Sequence, residues 1–514
     1  MNTELPTGSA KTADPAAAEQ AAGERTAGEQ AAGQQAAAGQ QAAAELRCLV
    51  PADQVLTSGP GYDAAVTLWN AAVRRSPAVL LRCTTTADVQ AGVRTARKFG
   101  LPVSVRGQGH DWAGRSLRDG GLTLDLAPMR SVRVDPARRT ATVGGGASIN
   151  EVLAAVDRQG LVAVTGTIGG VGLVGLLLGG GYGPLCGRFG LAADNLLGAE
   201  LVLADGSAVR TDAEHEPDLF WALRGGGGNF GVVTSADVRV HTVPGVVTGS
   251  VAYPWKQAQQ VFTAVREIQS GCPDELTVQT CVMLGPEGAP MVLVLPTWCG
   301  DPAVGIDPNG PVQRLTRLGT PAMAQLVAVN HAAAVAERDA MFPAGRGVSI
   351  RTRSVPDLGP DVIDVLIAGG EALTSPMSAI SVHHFHGAAS RVGPAETAFV
   401  RREPHQMAEI VAIWPASSDA TALTAATATT STAATTGATD AADPAHGARH
   451  RAWAETMSRE LTPHAFPGGY QNLVGPEAVD QHPHLYGSNT ARLMAIKEAV
   501  DPDGVFQATP MPIG

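Results

Sequence analysis

Beyond residue 50 the chain alternates short β-branched runs with segments of helical apolar period, and glycine marks most of the places where either pattern stops. Pro77–Cys83 reads as a first core strand. Thr86-Ala-Asp88 supplies capping side chains for a helix running to Phe99, in which Val89, Val93 and Ala96 recur at helical spacing. A β-branched strand, Val103 to Val105, then ends in Gly107 and Gly109, with His110 directly after. Short alternating strands follow at 122–126, 132–134 and 141–143, then a helix from Ile149 to Gln159. Leu197 to Ala204, the turn Asp205-Gly206, and Ala208 to Arg210 predict a hairpin, and Val232 to Val240 a further strand. From about 245 to 415 the texture becomes strands and amphipathic helices, as at Thr277 to Leu284, Met291 to Leu295 and Val382 to Phe385, so a second α+β domain is expected. A helix around Trp453 to Leu461 and a last one ending at Asp501-Pro502 complete the pattern.

Two stretches carry no such pattern. Residues 1–46 are mostly Ala, Gln, Gly and Glu, too poor in large apolar groups for a core of their own, and are expected to be a disordered tail with at most a transient helix. The Ala/Thr tract at 416–447 holds no aromatic residue and is expected to be a flexible insertion. A net charge of −11 argues against nucleic acid or an anionic membrane as the main partner and favours a small molecule. The six cysteines show no Cys-x-x-Cys pair, which fits free thiols in a reducing compartment. With neither a signal-like N-terminus nor a membrane-length apolar run, a cytoplasmic location is expected; oligomeric state is not legible.

Candidate chemistry centres on Arg106-Gly-Gln-Gly-His110. Bare glycine backbone lets amide N–H groups approach an anion, and a histidine at the lip of such a nest would touch whatever the phosphates carry. The apolar, glycine-studded stretch Thr165 to Gly183 would line a flat aromatic ligand closely. Gly226, Gly228 and Gly231 form a literal G-x-G-x-x-G, but the predicted order is helix, glycines, strand, the reverse of a dinucleotide fingerprint, so a Rossmann domain is rejected. His384 and His386 alternate on a predicted strand and share a face, with His383 on the other; either would accept a proton if their face covers a cofactor. As a metal site the pair lacks a third ligand, and no metal is expected.

Val105-Arg-Gly-Gln-Gly-His110, Gly179-Gly-Gly-Tyr-Gly183 with Arg188 to Asn195, Asp218 to Thr234, Tyr470-Gln-Asn472, Tyr486-Gly-x-Asn489 and Asp501-Pro-Asp-Gly-Val-Phe506 resemble, in order, the FAD-linked oxidases of the berberine bridge enzyme type, in the vanillyl-alcohol oxidase superfamily. The resemblance implies an α+β fold: a two-part PCMH-type FAD-binding domain at 50–243 and 465–514, with an inserted α+β substrate domain at 244–464 whose antiparallel sheet is covered by helices. It further implies FAD held covalently through His110, in a bed made by Arg106, Gly107, Gln108, Gly109, Gly166, Thr167, Gly170, Val171, Gly172, Asn229, Gly231, Val232, Val233 and Asn472. Where relatives carry a second attachment cysteine this chain has Ile168, so single attachment is expected, with Cys186 the weaker alternative. The two catalytic bases seen in relatives would fall at Leu473, and at Ser390 or Arg391, so neither is expected to be present. Tyr470, His384 and His386 remain as candidates. The small side chain of Val171 implies oxygen access. The implied activity is hydride transfer from a C–H next to O or N of a sugar, alcohol or secondary metabolite to FAD, reoxidised by O2 to give H2O2. A dehydrogenase using another acceptor, or a non-catalytic flavin-binding protein, are the alternatives.

Overall fold

A computed structural model describes residues 33–339, 341–415 and 444–511, the last segment from 447 onward with side chains. Three sheets organise it. The first orders as β1 (Val55–Leu56), β2 (Val79–Arg82), β4 (Leu122–Asp125) and β3 (Val103–Arg106), with β2, β4 and β3 mutually parallel. β4, Leu-Thr-Leu-Asp, is buried at all four positions, and its polar side chains are satisfied within the sheet, Thr123 by Ser104 at 2.9 Å and Asp125 by Arg106 at 2.8 Å. The helix Thr86–Lys98 crosses over between β2 and β3; its N-cap is Thr85, one residue before the expected Thr86, with Thr85 Oγ1 accepting from Asp88 N–H and the Asp88 carboxylate accepting from the Thr85 N–H.

The second sheet is antiparallel, ordered β5 (Val132–Asp135), β6 (Thr140–Gly144), β10 (Val232–His241), β8 (Leu196–Val202) and β9 (Ala208–Asp212), with the short β7 (Val162–Ala163) on the end of β10. The helix Pro217–Leu223 precedes the glycines and β10 follows them, as the rejection of a Rossmann order requires.

The third sheet has seven antiparallel strands, ordered β14 (Met323–Val329), β11 (Val246–Pro254), β13 (Pro290–Trp298), β12 (Leu276–Leu284), β16 (Ala379–Phe385), β17 (His405–Pro415) and β15 (Arg346–Val355). Ile380, Val382, Val278, Val282, Ala408 and Ile410 on one face pack against Val261, Phe262, Leu366 and Met457 of the helices Ala258–Gln269, Pro360–Glu371 and Pro444–Leu461. Alternation then sends Ala379, Ser381 and His383 to the other face.

One expectation fails at the N-terminus. Residues 33–49 form a helix, and Ala42, Ala43 and Leu46 are buried against Val79, Leu81, Val93 and Leu124. Alanine adds little area of its own, but at helical spacing it lets the helix lie close on an existing apolar sheet, so the core comes from the partner surface. The rest of the tail, and 416–443 of the Ala/Thr tract, lie outside the described residues; 444–447 open the helix Pro444–Leu461. No helix among the described residues is long and apolar enough to cross a membrane.

Candidate active site

Where the C-terminal ends of the parallel strands meet the second sheet, a cavity of about 410 Å³ opens beneath the seven-stranded sheet. Its floor comes from three loops far apart in sequence. Gly107 to His110 follow β3, Gly166 to Ile168 with Val171, Gly172 and Gly175 form the middle, and Gly227, Gly228 and Gly231 to Val233 lead into β10. Ligands of parallel sheets gather at this edge because the backbone there is free of ladder partners. Gly109 has φ +71°, and a Cβ on it would sit 3.1 Å from the Arg106 guanidinium packed beneath the turn. Arg106 in turn pairs with Asp125, its neighbour across the parallel ladder, at 2.8 Å.

His110 lies at the lip of this floor, stacked on Trp69 with ring centres 4.4 Å apart and planes at 16°. Trp69 is fixed by its own bonds, the backbone N–H to Gly109 O at 2.9 Å and the indole N–H to Phe342 O at 3.1 Å. Burial holds the His110 pKa down at about 4, with the nearby carboxylates of Asp339 and Asp111 acting against it only weakly, so the imidazole is neutral and keeps a nitrogen lone pair at physiological pH. Asp339, at the end of the helix His331–Asp339, also accepts from the Gly170 N–H at 3.2 Å and from Asn150 at 3.1 Å, tying that helix to the loop beside His110.

Most of the residues predicted for the cofactor bed line this cavity: Gly107, Gln108, Gly109, His110, Gly166, Thr167, Val171, Gly172, Gly231, Val232, Val233 and Asn472. Arg106, Gly170 and Asn229 stand behind it. Asn229 holds the irregular C-terminal segment in place, accepting from the N–H groups of Ala508 and Thr509 at 2.8 and 3.0 Å. The segment Phe506 to Thr509 thereby joins the floor; the resemblance implied that 465–514 belongs to the FAD-binding domain, but nothing in the local pattern marked these four residues as lining the site. Trp112 Nε1 and Ser116 Oγ are buried without hydrogen-bond partners among the described residues, and both residues line the cavity. Bare backbone, apolar walls and two waiting donors suit a bulky nucleotide cofactor.

The roof corrects the catalytic candidates. His384 and His386 are on or beyond the helix-covered side of β16, not over the cavity; their rings stack 3.9 Å apart and burial drives their pKa values down, to about 2 and about 4. The neighbour dismissed by parity, His383, is the one that faces the cavity. Its Nε2 lies 2.9 Å from the Glu409 carboxylate on β17, a same-face diagonal contact, since Ser381 is the residue directly opposite Glu409. Gln279 donates to Ser381 Oγ at 2.6 Å, completing a polar row, Gln279, Ser381, His383 and Glu409, in an otherwise apolar roof. An acidic side chain therefore does overlie the site, contrary to expectation; Ser390 and Arg391 belong instead to the short helix Ala388–Arg391, with Arg391 paired to Asp274.

Tyr470 lines the cavity, but its hydroxyl oxygen receives the N–H groups of Gly181 and Tyr182 at 3.0 and 3.3 Å and the Asn472 amide at 2.8 Å. Burial raises its pKa and these donors pull it back. The phenol is thus tied into the glycine run of the floor. Ile168 lines the cavity whereas Cys186 does not; the latter is buried and its thiol is pushed up to about 12. Leu473 also reaches the cavity wall.

Residues 77–212 match the family described as FAD binding domain, and residues 469–510 the family described as berberine and berberine like. The FAD-linked oxidoreductase aurO of Gibberella zeae is 29% identical over 454 residues, 88% of this chain and 83% of that protein. The (R)-6-hydroxynicotine oxidase of Paenarthrobacter nicotinovorans is 40% identical over a shorter 195 residues, 38% of this chain and 43% of that one. Among solved structures, 6-hydroxy-D-nicotine oxidase from Arthrobacter nicotinovorans superposes with a TM-score of 0.75 at 25% identity, covering 88% of this chain and 96% of that one. Fold, floor and relatives together make the chain an FAD-linked oxidoreductase, an enzyme whose cofactor is FAD. Within that class it carries the FAD binding and berberine-like domains and has the α+β, PCMH-type architecture of its structural neighbours.

Proposed function

We propose that this enzyme oxidises a C–H bond adjacent to oxygen or nitrogen in a small organic substrate, with FAD attached through His110 and dioxygen as terminal acceptor, giving hydrogen peroxide. The observation that carries the reading is the His383–Glu409 pair at 2.9 Å, presented by adjacent strands into the cavity whose opposite side holds His110. FAD would supply the hydride acceptor; binding, orientation and proton transfer belong to the chain. Glu409 takes the proton from the substrate O–H or N–H as the neighbouring C–H is oxidised, and His383 holds the carboxylate in place. Gln279 and Ser381 orient the substrate heteroatom, and the apolar walls exclude water. Val171 leaves room on the cavity wall for oxygen. Relatives named for oxidation of 6-hydroxynicotine support a ring-bearing amine or alcohol as a first substrate class to test. Six free thiols support a reducing compartment.

His110→Ala tests the attachment. Wild-type protein run on a denaturing gel should keep flavin fluorescence and an intact mass raised by one FAD, and His110→Ala should lose both; Cys186→Ala should keep both. A wild type whose flavin washes out on denaturation would overturn covalent attachment. The activity is tested separately by bleaching of the flavin under anaerobic conditions with a panel of amines, alcohols and sugars, followed by air.

A further inference from the structure

On the far side of the roof, one position along β16 from His383, lies a group of side chains that this chemistry does not use. Cys272, in the turn after the helix Ala258–Gln269, meets His384 and His386, and one donor atom from each lies within 4.8 Å of the others. His384 is 5% exposed and its Nδ1 has no hydrogen-bond partner among the described residues. Among the described residues, His386, also buried, meets Thr277 Oγ1 in a long contact at 3.3 Å and no other hydrogen-bond partner. The Cys272 thiol makes weak contacts to the carbonyls of Gln269 and Leu276 at 3.6 and 3.5 Å. A buried imidazole nitrogen without a partner is destabilising, yet here a second imidazole is stacked on the ring and a thiol stands within 4.8 Å. Backbone also crowds the group: Gly187 of the short helix Cys186–Phe189 lies so close to the His386 ring that a Cβ there would collide with it.

We propose that Cys272, His384 and His386 form a Zn²⁺ site. Zinc–nitrogen and zinc–sulfur bonds of about 2.0 and 2.3 Å place ligand atoms roughly 3.3–3.8 Å apart, so small side-chain rotations close the triangle, and water would fill the fourth tetrahedral position. Both imidazoles already carry the free lone pair a metal needs, since burial keeps them neutral. The thiol, raised to about 11 by burial, would exchange its proton for the ion, releasing one H⁺ to solvent per metal bound. Imidazole with thiolate selects zinc over magnesium or calcium, which take oxygen ligands. Half-buried Cys272 leaves an entry path from solvent. The ion would fasten the end of β16, and so His383, to the turn that carries Cys272. Sequence alone showed two of the three ligands; the third stands 112 positions earlier, at a distance only the fold closes.

The test uses the purified flavoprotein after removal of bound metal by chelator dialysis, titrated with Zn²⁺ against a chromophoric competitor. Metal content is read by mass spectrometry, and Co²⁺ is substituted to reveal its d–d bands to the red of the flavin. Expected are one Zn²⁺ per chain, thiolate-type Co²⁺ bands, and a loss of affinity of about tenfold or more in both Cys272→Ser and His386→Gln. Cys48→Ser, at an exposed thiol elsewhere, should bind as wild type does. The two ligand variants are independent, so a folding failure in one leaves the other to decide, with circular dichroism as the check. Absence of stoichiometric binding by wild type, or undiminished affinity in a folded Cys272→Ser or His386→Gln, would overturn the assignment.

Discussion

Replacing Glu409 by Gln removes the charge over the cavity while keeping the shape and the acceptor oxygen that His383 needs. The two side chains are 18% and 13% exposed and meet at 2.9 Å, so the pair is largely shielded by the cavity walls. Gln preserves one neutral hydrogen bond in place of a charge-assisted one, and global stability should change by no more than about 1 kcal/mol. The rate should respond far more. A positioned general base contributes about 10²- to 10⁴-fold, which is roughly 3–5 kcal/mol of barrier at about 1.4 kcal/mol per decade. The assay is stopped-flow bleaching of the flavin, under anaerobic conditions, by any substrate of the panel that reduces wild type. Glu409→Gln should slow that phase by two to four decades, with an unchanged Tm and an unchanged rate of reoxidation in air. Because Gln cannot take a proton at any working pH, raising the pH should not restore the rate. Bleaching within about threefold of wild type would refute Glu409 as proton acceptor and return attention to Tyr470.

Three further outcomes are expected. Val171→Leu should leave anaerobic reduction unaltered and slow reoxidation by oxygen; equal reoxidation rates would remove Val171 from the oxygen path. Leu46→Ala, at a fully buried position of the N-terminal helix, should lower unfolding stability by about 2–5 kcal/mol, read as a shift in urea midpoint, and no shift would mean that the helix does not dock. Burial holds His110, His331 and His405 at about 4 against 6.5 for an exposed imidazole. The unfolded chain therefore takes up protons that the folded one refuses, so stability present above pH 6.5 is lost as pH falls from there toward 4. A Tm followed by circular dichroism that stays flat across this window would contradict neutral, buried histidines.

Local pattern reached most of the elements, because apolar periods act within a few positions of chain, and for the helix Thr86–Lys98 it found the capping Asp88 while missing the N-cap itself, Thr85, by one residue. It also found much of the floor, since strand, glycine and histidine stand next to one another from Val103 to His110. It misjudged the roof. Parity along β16 was read rightly as far as His383 pointing opposite to His384, but parity cannot say which face meets helices and which meets the cavity. That choice belongs to Phe262, Leu366 and Met457, which claim the Ile380–Val382 side.

What this sequence determined by itself, then, is what neighbouring residues settle: where strands end, where backbone must be bare, and where a histidine stands beside that bare backbone. The tertiary structure decided what depends on distant chain segments sharing a surface. It brought Glu409 beside His383 across paired strands, returned Phe506 to Thr509 to the floor, laid a tail helix on the first sheet, and set Cys272 against His384 and His386. Each of those contacts exists because burying a face against one partner fixes what the opposite face can meet, and that partner lies tens to hundreds of residues away.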